Sequence, residues 1–165
     1  MFDKMFTNTL SPETLDFVKK IKVLDLPTDS YLSGGTAIAL QIGHRKSIDK
    51  FSLFYYKHNL IGKNSDFYDI KLASLKDLAA TKLDTVISRG TKRDLIDIYF
   101  LAQRFGLPKI FEFYNEKFSN FEEREIMIKK ALIYFEDAEK DEAPHMLVPF
   151  EWKELKEFFR KEIKP

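Results

Sequence analysis

Tyr31-Leu32-Ser33-Gly34-Gly35-Thr36-Ala37-Ile38-Ala39-Leu40-Gln41 reads as a short apolar strand, a double-glycine turn and a helix. Paired glycines let backbone N–H groups at a helix start come close to an anion, so the turn is a candidate phosphate cradle; a tight strand-to-helix turn without a ligand uses the same residues. Behind it, His44-Arg45-Lys46-Ser47-Ile48-Asp49 brings donors and one carboxylate, on a segment that also reads as a plain surface loop. Ahead of it, Ser11-Pro12 opens a helix, with Ser as cap and Pro at the first helical position. That helix is expected to reach about Leu24, before Pro27 breaks it.

Downstream, Ile48 through Tyr56 reads as a largely buried strand, Gly62 to Asp66 as a turn, and Ile70-Lys71-Leu72 as a further short strand. From Ser74 the pattern turns helical. Helices are predicted over 75–89, closed by Gly90; 92–105, closed by Gly106; 108–118, opened by Pro108; 121–136; and 150–163. The charged run from Glu136 to Glu142 reads as a solvated helix end or loop. The fold class is therefore α+β, with an α/β head over 1–73 and a helical region over 74–165 that is expected to pack with the head as one unit.

A chain of 165 residues that is 44% hydrophobic, with 16 Phe and 7 Tyr, has ample apolar surface for a domain core. Its 27 basic and 26 acidic residues nearly cancel, so no overall field draws it to nucleic acid or an anionic membrane, and any polyanion must be held locally. With no cysteine there are no disulfides, thiolate metal sites or cysteine nucleophiles. No apolar stretch has signal-peptide or membrane-spanning length, so a soluble cytoplasmic protein is expected. His44, His58 and His145 share no ligand spacing, and neither a Walker sequence nor Gly-x-Ser-x-Gly occurs.

Two charged residues stand where helical periodicity puts apolar ones. Leu75, Leu78, Ala79, Leu83 and Val86 form one stripe, and Lys82 falls in its middle. An inward lysine needs a carboxylate, phosphate or water; alternatively it snorkels to the stripe's edge. On the next helix Asp94 lies on the stripe of Leu95, Ile98, Leu101, Ala102 and Phe105, with Asp97 on its flank. Thr91 three residues before Asp94 offers a second explanation, a capping box with an acid in the first turn. Two adjacent helices presenting opposite charges inward would bring Lys82 and Asp94 together.

Three stretches in this order resemble the AbiEii-type, nucleotidyltransferase-like toxin family: Tyr31–Gln41 with His44–Asp49, then Leu72–Leu83, then Arg89–Leu101. The resemblance, over 31–49 and 70–104, implies a polymerase-β-like fold with a small mixed sheet and an appended helical region. It implies NTP and Mg²⁺ as cofactors, with Gly34, Gly35, Thr36, Arg45, Ser47, Lys82 and Arg93 toward the nucleotide. By the same resemblance Asp49 is the metal-binding carboxylate, Lys82 and Asp94 are catalytic, and Asp97 supports them in Arg93-Asp94-Leu95-Ile96-Asp97. The departure is at the metal. Where the family reads Ser-x-Asp-x-Asp-Phe-Phe, this chain has Ser47-Ile48-Asp49-Lys50-Phe51-Ser52-Leu53, so Phe51 replaces the second carboxylate, as though roughly 30 to 40 family residues were missing after Asp49. Asp66 and Asp69 match no family motif.

The implied function is nucleotidyl transfer from an NTP to an RNA or protein acceptor within a toxin–antitoxin system, with a cognate antitoxin as partner and no membrane. The alternative is a catalytically inactive interaction or regulatory module that keeps the fold. A third reading is nucleic-acid binding through Arg45, Lys46, Arg89, Lys92 and Arg93, which would weaken with salt.

Overall fold

Strand β1 (Tyr31–Leu32) lies inside a four-stranded sheet of order β2-β1-β4-β3. The structure is a computed structural model that describes residues 5–21, 30–47 and 60–163, with the backbone of 53–54. β1 pairs antiparallel with β2 (Leu53–Phe54) and parallel with β4 (Ile70–Leu72), and β3 (Ser65–Phe67) adds antiparallel to β4. The sheet is small and mixed, and with the helices that follow it makes an α+β protein. Both residues of β1 are buried, whereas β4, also an inner strand, alternates: Ile70 and Leu72 are buried around an exposed Lys71. Of the strand predicted over 48–56, only Leu53–Phe54 is described; Asp49 and Phe51 lie outside the described residues.

The stretch Gly62 to Asp66 is only partly a turn, because Ser65 and Asp66 already belong to β3. The tight turn comes later, at Tyr68-Asp69, where Tyr68 takes a φ of 53°. Ser-Asp has loop composition, and pairing with Ile70–Leu72 overrides that weak local preference.

The chain divides into two compact units, 1–78 with 145–148, and 79–144 with 149–165. In the first, α1 (Pro12–Lys20) starts as expected, the Ser11 hydroxyl accepting from the Thr14 N–H at 3.2 Å; the expected continuation past Ile21 lies outside the described residues. Helix α2 (Gly34–Ile42) buries Ala37, Ile38, Ala39 and Leu40 together, so it is a core helix and not an amphipathic one. Residues 145–148 belong to this unit through an antiparallel bridge between Arg45 and Met146, with Lys46 N–H donating to the His145 carbonyl at 2.8 Å and Leu147 N–H to the His44 carbonyl at 2.9 Å.

Asp77, in the first turn of α3 (Leu75–Ser88), organises the loop before β3. Its buried carboxylate accepts from the backbone N–H groups of Ile61 and Gly62, each at 3.0 Å, and from the Ser74 hydroxyl at 2.6 Å. Gly62 is needed there on space alone, since a Cβ would stand 2.1 Å from Ser74 Oγ. Asp77→Ala leaves three donors without their acceptor and is expected to cost about 1–3 kcal/mol. Amide hydrogen exchange should accelerate at Ile61 and Gly62; unchanged protection of both would refute the anchor.

The second unit contains the remainder of α3 and the helices α4 (Lys92–Phe105), α5 (Leu107–Phe118), α6 (Phe121–Ile133), α7 (Glu136–Lys140) and α8 (Trp152–Glu162). Their starts and ends follow the glycine and proline signals, with Gly106 (φ 82°) between α4 and α5. The helix predicted over 121–136 is two. It ends at Ile133, Tyr134 is extended, and the chain turns back so that Phe135 and Ala138 are buried. The charged run therefore holds a short helix anchored by one alanine.

Candidate functional site

In the first unit, the Ser33-Gly34-Gly35-Thr36 turn opens α2 without a capping hydrogen bond from the Ser33 side chain. Gly34 has a φ of 75°, which L residues rarely adopt, and, outside its own turn, no atom of the described residues lies within 4 Å of where its Cβ would be. The buried Thr36 and Ser47 hydroxyls hydrogen-bond to each other at 2.8 Å, and Ser47 N–H donates to the Thr9 carbonyl at 2.8 Å. Two residues that the family resemblance implies for the nucleotide, one in the first turn of α2 and one beyond its end, are thereby joined. Arg45 is fully buried and gives a guanidinium N–H to the Lys46 carbonyl at 3.0 Å, so in this conformation it supports the 44–47 segment from inside.

In the second unit, the sequence expectation for the inward charges is met. Lys82 is buried, with Nζ 2.6 Å from Asp94 Oδ1 and 2.9 Å from Asp97 Oδ2. Asp94 is fully buried and also receives Arg89 Nε–H at Oδ2 (2.9 Å) and Arg89 Nη2–H at Oδ1 (3.0 Å). The capping reading holds as well: the Thr91 hydroxyl accepts from Asp94 N–H at 3.3 Å and donates to Asp94 Oδ2 at 2.6 Å. Asp94 thus serves as helix cap and as buried ion partner at once. Asp97, placed on the flank by periodicity, is wholly buried because Lys82 supplies its partner.

Burial by itself would lower the Lys82 pKa, but the charges of Asp97 and Asp94 outweigh it and hold the ammonium above its ordinary value. Burial likewise pushes Asp94 up, and is outweighed by the Lys82 charge and by hydrogen bonds from Arg89, Lys82 and Thr91, which bring it below the ordinary carboxylate value. The cluster is ionised and, counting Arg89, balanced. Arg93 is half-buried on the first turn of α4. Sequence reasoning missed the Arg89 fork and the Asp77 anchor. The second had a signal, since Ser74-x-x-Asp77 is the same box as Thr91-x-x-Asp94.

The α2 turn fits an anion, having two glycines, no hydrogen bond from a capping side chain and, among the described residues, open space beside Gly34. The described residues do not fit a Mg²⁺ site. No group of three His, Cys, Asp or Glu able to hold a metal occurs among them, and Asp66 on β3 is exposed and paired with Lys71 at 2.6 Å. Asp49, the acid that the family resemblance assigns to the metal, is outside the described residues.

The family model for the nucleotidyl transferase AbiEii toxin, type IV toxin–antitoxin system, matches residues 54–165. The chain belongs to this AbiEii family. The match contains the second and third motifs and the Lys82–Asp94–Asp97 cluster, while the double-glycine motif precedes it. An uncharacterized protein of Aquifex aeolicus (strain VF5) is 29% identical over 203 residues, covering 94% of this AbiEii chain and 96% of the relative. An alignment of 203 positions against a chain of 165 leaves at least 38 (203 minus 165) where the relative has a residue and this chain has none. No solved structure matches.

Proposed function

We propose that the α2 turn binds the triphosphate of an NTP and that the protein, as the toxin of a toxin–antitoxin pair in the cytoplasm, transfers the nucleotidyl group to a hydroxyl of an RNA or protein acceptor. A cognate antitoxin is its physiological partner. The observation that carries this reading is the uncapped start of α2 at Gly34, with room beside it for an anion, in a chain of the AbiEii family. In this scheme the N–H groups of Gly34, Gly35 and Thr36 face the phosphate oxygens, and the Thr36–Ser47 hydroxyl pair holds the segment that leads to Asp49. Lys82, Asp94 and Asp97 act together, their ion pairs setting the crossing of α3 and α4. Mg²⁺ belongs to the proposed reaction, but no step through it is assigned to the described residues. No helix among them is long and apolar enough to cross a membrane.

Calorimetric titration with each of the four NTPs, with and without Mg²⁺, tests the reading. Gly34→Val forces a β-branched residue into a left-handed conformation and is expected to weaken NTP binding by about tenfold or more. A folded protein that binds no NTP, or a variant that binds as tightly as the parent, would overturn it.

A second reading, an interaction module without turnover, is favoured by one feature of α6. Ile126 and Met127 are 67% and 54% exposed on α6, and Ile133, two turns on, is 40% exposed, so apolar side chains stay on its surface. Failure of every NTP to bind in the titration above moves the assignment to this module.

A further inference from the structure

We propose that the second unit carries a ligand site of its own, where the end of α3 meets the end of α6 and the start of α7, for a small aromatic anion of nucleoside-monophosphate type. A cavity of about 620 Å³ opens there, within the size range of small-molecule sites. Val86, Arg89, Lys130, Ile133, Tyr134 and Asp137 line it.

Its chemistry is two-sided. Arg89, whose charge is met by Asp94, and Lys130 bring cationic donors to the lining, and its one acid, Asp137, already has Lys140 Nζ at 2.9 Å. Arg89 is also oriented in advance: its Nε–H and Nη2–H are held by Asp94, while the side chain stays 60% exposed at the cavity wall. A guanidinium fixed before binding loses less rotamer freedom when an anion arrives, and this favours a phosphate over a group that would have to immobilise a loose side chain. Beside the charge, Val86 and Ile133 give the lining apolar side chains, and Tyr134 offers a half-exposed ring whose hydroxyl is anchored to Glu136 at 3.3 Å. A flat base stacks on such a ring. Inorganic phosphate would meet only the cationic donors, and an apolar ring alone would use none of them. Binding here is separate from the triphosphate at α2 and does not require it.

Calorimetric titration of the full chain with adenosine monophosphate and with inorganic phosphate tests the site, alongside Tyr134→Ala and Lys130→Glu. Both residues are exposed, and circular dichroism of each variant checks the fold. The expected result is that adenosine monophosphate binds, inorganic phosphate binds at least about tenfold more weakly, and each substitution weakens the nucleotide by about tenfold or more. Four results would overturn the proposal: no nucleotide binding by the folded chain, equal affinity for inorganic phosphate, nucleotide binding indifferent to both substitutions, or binding of a short single-stranded RNA without binding of the mononucleotide.

Discussion

Replacing Lys82 with Met should cost about 3–5 kcal/mol of unfolding free energy, because the change removes the buried ammonium that two buried carboxylates share, with their burial intact and Asp94 still held by Arg89 and Thr91. Nζ of Lys82 reaches both Asp94 Oδ1 and Asp97 Oδ2, at 2.6 and 2.9 Å. Methionine matches the stem of lysine closely, so little of the loss comes from packing. The size is a large share of the 5–15 kcal/mol typical of a domain. Urea denaturation reads it as a lower midpoint at unchanged slope. The variant should also respond to acid with the opposite sign to the parent: two buried carboxylates that have lost a shared ammonium take up a proton more readily, so the variant regains stability as pH falls from neutrality. A cost below about 1 kcal/mol would mean that the cluster is solvated like a surface pair. The same result bears on ligand work, since lost NTP binding in a Lys82 variant counts as lost contact only where the variant remains folded.

Acid unfolding of the parent is the second large effect. Asp94 is held below its ordinary value of 3.8, so the folded state binds the proton less readily than the unfolded one. Its stabilisation is fully present above 3.8 and is lost as pH falls below that, through the folded value. Lys82 has the reverse sign. Its pKa is raised above 10.5, so its contribution is complete below 10.5 and is lost as pH climbs through the higher folded value. The cluster should therefore stabilise the protein evenly between those limits. Asp94→Asn removes the charge and keeps the shape. The stability gap between parent and variant should be wide at about pH 7 and close steadily below the ordinary carboxylate range. A gap of constant width down to about pH 3 would show that Asp94 acts as a neutral cap only.

The two effects connect stability to the proposed sites. Arg89, whose fork on Asp94 closes the ion cluster, is also a wall of the α3–α6 cavity, so the same carboxylate that neutralises Lys82 orients the cation offered to a ligand there. At α2 the arrangement is different, because the anion would meet backbone N–H groups whose direction depends on the left-handed Gly34.

Short-range signals along the chain were sufficient for much of this protein. Ser11-Pro12 determined where α1 begins, Gly90 and Gly106 where α3 and α4 stop, and the Thr91–Asp94 spacing the cap of α4, because each acts within one helical turn. The place of Lys82 in an apolar stripe was enough to show that it points inward, and the motifs were enough to show the family. Tertiary structure alone decided which partners those residues meet. Nothing local in Ile61-Gly62 tells of Asp77, nothing near His145 of the bridge to Arg45, and nothing in Asp97 of the lysine on another helix that makes its burial tolerable. These contacts join residues far apart in the chain, and a polar residue becomes a core residue only when folding delivers a partner of the right charge and geometry.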